Sequence, residues 1–190
     1  MLFTMLLLAA LQDAKPIFPS APVNADFEQP APANAPAGWK AFGEQGYRFE
    51  RVDGPTGKAG RLISIQKDDV QGPSGASLFQ NIDATEYRGK IVRLRASVKV
   101  VRPGTHVGLG MRVVRPQPKF AGFADMMKDR PIHAGGWETQ EIVGRVAPDA
   151  EHNWIGLSLS GDAHVLVDEV TLEAIEPDPR PPSKEAVDYL

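Results

Sequence analysis

The sequence predicts an all-β chain whose strands pack as a sandwich or barrel, and three observations predict it. From Trp39 onward, segments of strand length recur between turn signals. Several of these segments alternate apolar and polar residues with period two. No long 3.6-period segment interrupts them.

Strands are expected near 47–52, 60–67, 75–82, 90–101, 106–115, 137–146, 152–160 and 163–175, with a further short strand at Asn24-Ala-Asp-Phe-Glu28. The separators Asp53-Gly-Pro-Thr-Gly57, Gln71-Gly-Pro-Ser-Gly75, Arg102-Pro-Gly104 and Ser160-Gly-Asp162 are turns. In them proline fixes φ and glycine supplies positive φ. Over 91–101, Val92, Leu94, Ala96, Val98 and Val100 share one side, leaving Arg93, Arg95, Ser97 and Lys99 on the other. Over 106–115, Val107, Leu109, Met111 and Val113 oppose Gly108, Gly110 and Arg112. Over 153–160, Ile155, Leu157 and Leu159 oppose Trp154, Gly156, Ser158 and Ser160. A slip of one residue would bury the arginines, which fixes the register. The longest segment without a strand signal is 116–136, where Ala124–Lys128 could make one helical turn.

The 190 residues suit one domain with tails. Residues 1–14 read as a signal peptide without the usual basic start: Met1–Leu11 is apolar yet too short to span a bilayer as a helix. Export to the periplasm or outside the cell is the expectation. A Pro-rich linker at 15–22 follows, then a domain over 23–175 and a Pro-rich tail at 176–190, where Ser183 is a fitting N-cap for the start of a short helix. No membrane span is expected in the mature chain. The absence of cysteine excludes disulfides and thiol chemistry, and a net charge of −3 gives no general field for nucleic acid.

Function is less legible. The four histidines fall in no zinc-binding pattern, and no nucleophile elbow or phosphate-cradling loop is present. A glycosidase dyad such as Asp125 with Asp129 is conceivable, but no nucleophile, base and orienter assemble in the sequence, so no catalytic residue is assigned. The polar face of Arg93, Arg95, Lys99, Arg112, Trp154 and Ser158, with Gln80 beside it, could form one concave ligand surface. Sugars are gripped by an aromatic ring on their CH face and by charged hydrogen-bonders on their hydroxyls, and the arginines would favour an acidic glycan. The alternative is a solvated outer face covered by long side chains. Loop 120–137 could frame a site, or its Met126, Met127, Ile132 and Trp137 could plug the sandwich while its charges pair with one another.

The series Asn24–Glu28, Pro36-Ala-Gly-Trp39, Gly57–Leu62, Leu78-Phe-Gln-Asn-Ile82, Tyr87-Arg-Gly-Lys90 and Val165–Leu172 resembles the galactose-binding-like jelly-roll modules shared by many carbohydrate-binding modules. Asp125–Ile132, Gly136-Trp137, Val146–Ala150 and Ile155–Gly161 look like a module found beside tail-specific serine proteases and in some bacterial transcription regulators. In those, Thr and Asp often precede the tryptophan, where this chain has Gly135 and Gly136. The resemblance implies an antiparallel β-sandwich, a jelly roll of about eight to nine strands, and, with no catalytic set in the sequence, a non-catalytic carbohydrate-binding module. The proline linker and the helix-like start at Ser183–Leu190 motivate the alternative, an interaction module for a partner envelope protein. It also implies a structural calcium joining the first and last strands, for which Glu28 and Asp168 match by position, with backbone carbonyls from the turn near 56–61 completing the shell. Otherwise Asp168 takes a hydrogen bond from a nearby turn and Glu28 is solvated.

Overall fold

The computed structural model describes residues 17–30, 35–43, 46–64, 75–116 and 121–177. The segments 1–14 and 178–190, with residues 65–67 of one expected strand, lie outside the described residues. Ten strands run β1 (Lys40–Phe42), β2 (Tyr47–Asp53), β3 (Lys58–Ser64), β4 (Ala76–Asp83), β5 (Lys90–Pro103), β6 (His106–Val114), β7 (Ala121–Asp125), β8 (Glu138–Arg145), β9 (His152–Ser160) and β10 (Ala163–Pro177). They form two five-stranded antiparallel sheets, β1-β4-β9-β6-β7 (sheet A) and β2-β3-β10-β5-β8 (sheet B). The expected all-β sandwich is the fold found.

Period-two alternation builds the core. Val92, Leu94, Ala96, Val98 and Val100 of β5 and Val107, Leu109, Met111 and Val113 of β6 are all buried, as are Ile155, Leu157 and Leu159 of β9. These residues meet between the sheets, where burying a Leu or Ile side chain is worth about 1.5–3 kcal/mol. One open side of the sandwich is closed by Phe123 of β7, which packs over Gly144 of β8. A methyl group at Gly144 would stand 2.6 Å from the Phe123 ring carbon Cζ.

Three expectations are corrected here. Residues 24–28 form no strand: Asn24 and Phe27 adopt left-handed φ of 46° and 55°, and the segment folds as turns. Phe27 is nonetheless buried, stacked on Trp39 at 5.3 Å, while the Trp39 Nε1–H donates to the Asn24 carbonyl at 3.1 Å. Residues from 18 on are docked rather than a free linker: the Asp83 N–H donates to the Pro19 carbonyl at 2.8 Å, and the Tyr87 hydroxyl donates to the Ser20 carbonyl at 3.0 Å. Part of loop 116–136 is the edge strand β7, so Ala124 lies in a strand and not in a helical turn. Further along that loop Met127 and Ile132 are buried in the core, and Asp125 and Asp129 pair with Arg130, as the plugging alternative requires.

Candidate functional site

The polar residues expected on one surface divide between two. Arg93, Arg95 and Lys99 belong to β5 in sheet B, whereas Arg112 belongs to β6 and Trp154 and Ser158 to β9, both in sheet A. Both groups point away from the core, so they lie on opposite outer faces of the sandwich. The single six-residue site is therefore not formed. On sheet B the arginines have local partners: Arg93 pairs with Glu141 and Glu173, and Arg95 pairs with Glu141. Across the same sheet Arg61 and Arg48 pair with Glu50. This is a solvated, ion-paired surface of the kind that contributes little free energy per pair. Gln80 also moves: it faces inward and is buried, and its amide hydrogen-bonds the backbone N–H and C=O of Val23.

The outer face of sheet A has a different character. Register sets its outward residues in rows across the strands. One row runs Phe42, Ser77, Ser158 and Gly108; the next runs Lys40, Phe79, Gly156 and Gly110; a third runs Asn81, Trp154, Arg112 and Ala124. Phe42, Phe79 and Trp154 thus lie on a diagonal. Their rings stack in sequence, Phe42 on Phe79 at 5.2 Å and 0°, and Phe79 on Trp154 at 5.2 Å and 25°. Diagonal neighbours in a sheet are within reach of aromatic side chains, which explains the run.

Beside the diagonal the strands carry only small residues. Gly108, Gly110, Gly156, Ser77 and Ser158 occupy adjoining positions. The space above Gly110 is taken up by Trp154 and Met126: a methyl group there would lie 2.7 Å from Trp154 Cζ3 and 2.8 Å from Met126 Cε. At Gly108 the neighbours are His106 Nε2, at 2.8 Å from such a methyl, and the Met126 carbonyl at 2.6 Å. Burial holds the His106 pKa below the usual imidazole value, against a hydrogen bond to the Met126 backbone that acts the other way. Ser158 Oγ lies 3.5 Å from His106 Nε2 and 3.4 Å from the Gly108 carbonyl oxygen. Phe42, Ser77, Phe79, Asn81 and His106 were not singled out from the sequence. Period-two alternation in 76–83, with Ser77, Phe79 and Asn81 opposing Leu78, Gln80 and Ile82, was the available signal.

The two carboxylates expected at a cation converge on one turn, that between β2 and β3. Asp168, on β10, is 1% exposed. Its Oδ1 accepts the Glu169 N–H at 2.8 Å, while among the described residues Oδ2 has the Thr56 hydroxyl at 3.5 Å. Burial raises its pKa above the ordinary carboxylate value. Glu28 lies over Gly57 and accepts the Lys58 N–H at 2.6 Å. The strand opens here: β10 shifts register between Asp168 and Thr171, with Glu169 at a φ of 51°, and the Val170 N–H donates to the Ala25 carbonyl. A buried Asp168 Oδ2 with a single long hydrogen bond among the described residues, 3.5 Å from the Thr56 hydroxyl, is the feature here that suits a hard cation. Among the described residues no cluster of three or more His, Asp or Glu side chains could hold a metal, so carbonyl oxygens would have to supply most of the shell.

No family model matches this chain, and no curated protein matches it. Solved structures do. The enzymatically active domain of tailspike protein 4 from bacteriophage CBA120 aligns with a TM-score of 0.61 at 15% identity, over 83% of this chain and 22% of that one. A family 4 carbohydrate-binding module aligns at 0.54 and 18% identity, over 80% and 98%. The C-terminal family 22 carbohydrate-binding module of Clostridium thermocellum xylanase 10B aligns at 0.54 and 9%, over 75% and 89%. This chain spans about a fifth of the tailspike domain but most of each module. At these identities the likeness is one of architecture, and the architecture is the jelly-roll sandwich of the carbohydrate-binding modules.

Proposed function

We propose that this chain is a non-catalytic carbohydrate-binding module whose ligand lies on the outer face of sheet A. The observation that carries the reading is the aromatic diagonal Phe42–Phe79–Trp154 bordering a strip of serine and glycine, with Arg112 and Asn81 on the row of Trp154. An aromatic surface beside hydroxyl and amide donors matches the two-sided chemistry of a sugar, whose CH groups are apolar and whose rim is polar. The fold neighbours that are themselves carbohydrate-binding modules support it. In this reading Trp154, Ser158 and Arg112 remain site residues, while Arg93, Arg95 and Lys99 are not.

Two further parts of the proposal are export, motivated by residues 1–14, and a structural calcium at Glu28 and Asp168. A calcium there would neutralise a buried carboxylate and tie β10 to the turn between β2 and β3. Among the described residues no helix is long and apolar enough to cross a membrane. The test of function is a glycan array and affinity electrophoresis against plant and bacterial polysaccharides with the full chain. Retention by at least one polysaccharide, released by the free oligosaccharide, is expected. Failure to bind any glycan refutes the proposal.

A further inference from the structure

We infer that Phe42 is the stacking platform for the sugar ring, that Trp154 is its supporting wall, and that the ligand is an uncharged glycan chain. The inference deepens the proposal above and rests on it. A ring can take a sugar only on a face that is free. Trp154 has Phe79 stacked against one face, and its Cζ3 edge shares the space above Gly110 with the Met126 thioether. Sulfur at an aromatic edge is a favourable contact in its own right. One face of the indole is thus covered and its edge is crowded, and the side chain is only partly exposed. Phe79 lies between two rings and is 5% exposed.

Phe42 differs. One face lies parallel on Phe79, and the side chain is 66% exposed. It stands on β1, a three-residue strand at the border of sheet A, so no further strand of the sheet lies beyond it. Phe79 and Trp154 behind it hold the ring at a fixed tilt, which lowers the entropy lost when a ligand settles on it. From Phe42 the row continues through Ser77 and Ser158, one strand spacing of about 4.8 Å apart. Hydroxyls at that repeat offer donors and acceptors to successive polar groups of a chain lying across the strands.

Charge argues for the ligand class. Along this row Phe42, Ser77, Ser158 and Gly108 are uncharged. Of the arginines that would favour a uronic acid, Arg93 and Arg95 are on the opposite sheet, paired with Glu141 and Glu173, and Arg112 lies two rows away from Phe42, on the row of Trp154. Bidentate capture of a carboxylate needs a guanidinium beside the stacked ring, and the neighbour of Phe42 on its own strand face is the single cation Lys40.

The experiment uses the full chain and titration calorimetry with xylohexaose, cellohexaose and a hexauronate. The wild type is expected to favour a neutral hexasaccharide. Phe42→Ala should weaken that ligand about tenfold or more while the domain stays folded, with Tm lowered by no more than a few degrees, and Phe42→Tyr should keep it. Glycan binding unaffected by Phe42→Ala would overturn the platform assignment and leave the carbohydrate reading standing. A wild type that prefers the hexauronate would overturn the ligand class. A wild type that binds no glycan on the array or in solution fails at the earlier step, and the inference falls with it.

Discussion

Gly156 sits at the middle of sheet A, on the strand that carries Trp154 and Ser158. A methyl group at this position would run into the Leu78 carbonyl and stand 2.7 Å from the Phe79 Cα, both backbone of β4. No rotamer change relieves such a clash; the two central strands must separate. Overpacking typically costs about 1–3 kcal/mol. Losing two flanking ladder hydrogen bonds adds about 1 kcal/mol each. The stiffer unfolded chain returns about 0.4–1 kcal/mol. Gly156→Ala should therefore destabilise the domain by about 3 kcal/mol, lowering Tm by about 6–12 °C for a domain of this size. Gly110→Ala is the control. The nearest atoms there, Met126 Cε and Sδ and Trp154 Cζ3, belong to side chains, two of them on a flexible thioether. Its cost should stay under about 1 kcal/mol. Thermal unfolding followed by far-ultraviolet circular dichroism measures both. A Gly156→Ala protein that melts with the wild type, or above Gly110→Ala, refutes the claim that backbone approach between β4 and β9 sets the geometry of this face.

Adding calcium to about 10 mM should raise Tm; at 100 times Kd the stabilisation is about 2.7 kcal/mol, equivalent to about 5–11 °C. Asp168→Asn should abolish that response, and an unresponsive wild type would remove calcium from the proposal. Alanine at Arg93 and Arg95 together should leave glycan affinity within about twofold and stability within about 1 kcal/mol, because their ion pairs are exposed; calorimetry showing lost binding would return the site to sheet B. His106, His152 and His164 each have a pKa held below the usual value, chiefly by burial. The unfolded chain therefore binds more protons, and stability should fall as pH drops below about 6.5 and on through the lower folded values. Urea titrations at stepped pH should show this, with a shallower slope for His152→Phe, whose ring keeps the contact with Phe18; a flat profile would contradict it.

Strands with a strong alternating face were legible in the sequence: β5, β6 and β9 were read with their inward residues correct. The border strands β1 and β7 were not. Lys40-Ala-Phe42 is too short to show a period, and Ala121-Gly-Phe-Ala-Asp125 has no β-branched residue. Asn24–Glu28 carries the apolar spacing of a strand but turns on two left-handed residues, which composition does not announce unless glycine is present. The site was half legible for a related reason. Alternation says which side chains point out of a strand, but it does not say which of two stacked sheets the strand joins. Arg95 and Arg112 therefore look equivalent in sequence while lying on opposite surfaces. Alternation in 76–83 does place Phe79 opposite Leu78 and Ile82, but it does not show that two flanking rings bury it.

The clasp between Gln80 and Val23 has a mechanical consequence. Because the amide grips both the donor and the acceptor of that peptide, a pull on the N-terminal segment is transmitted to the interior of β4 and not to a peripheral strand. Tension arriving from that direction would be shared between these bonds and those of Pro19 and Ser20, so detaching the segment means breaking all of them.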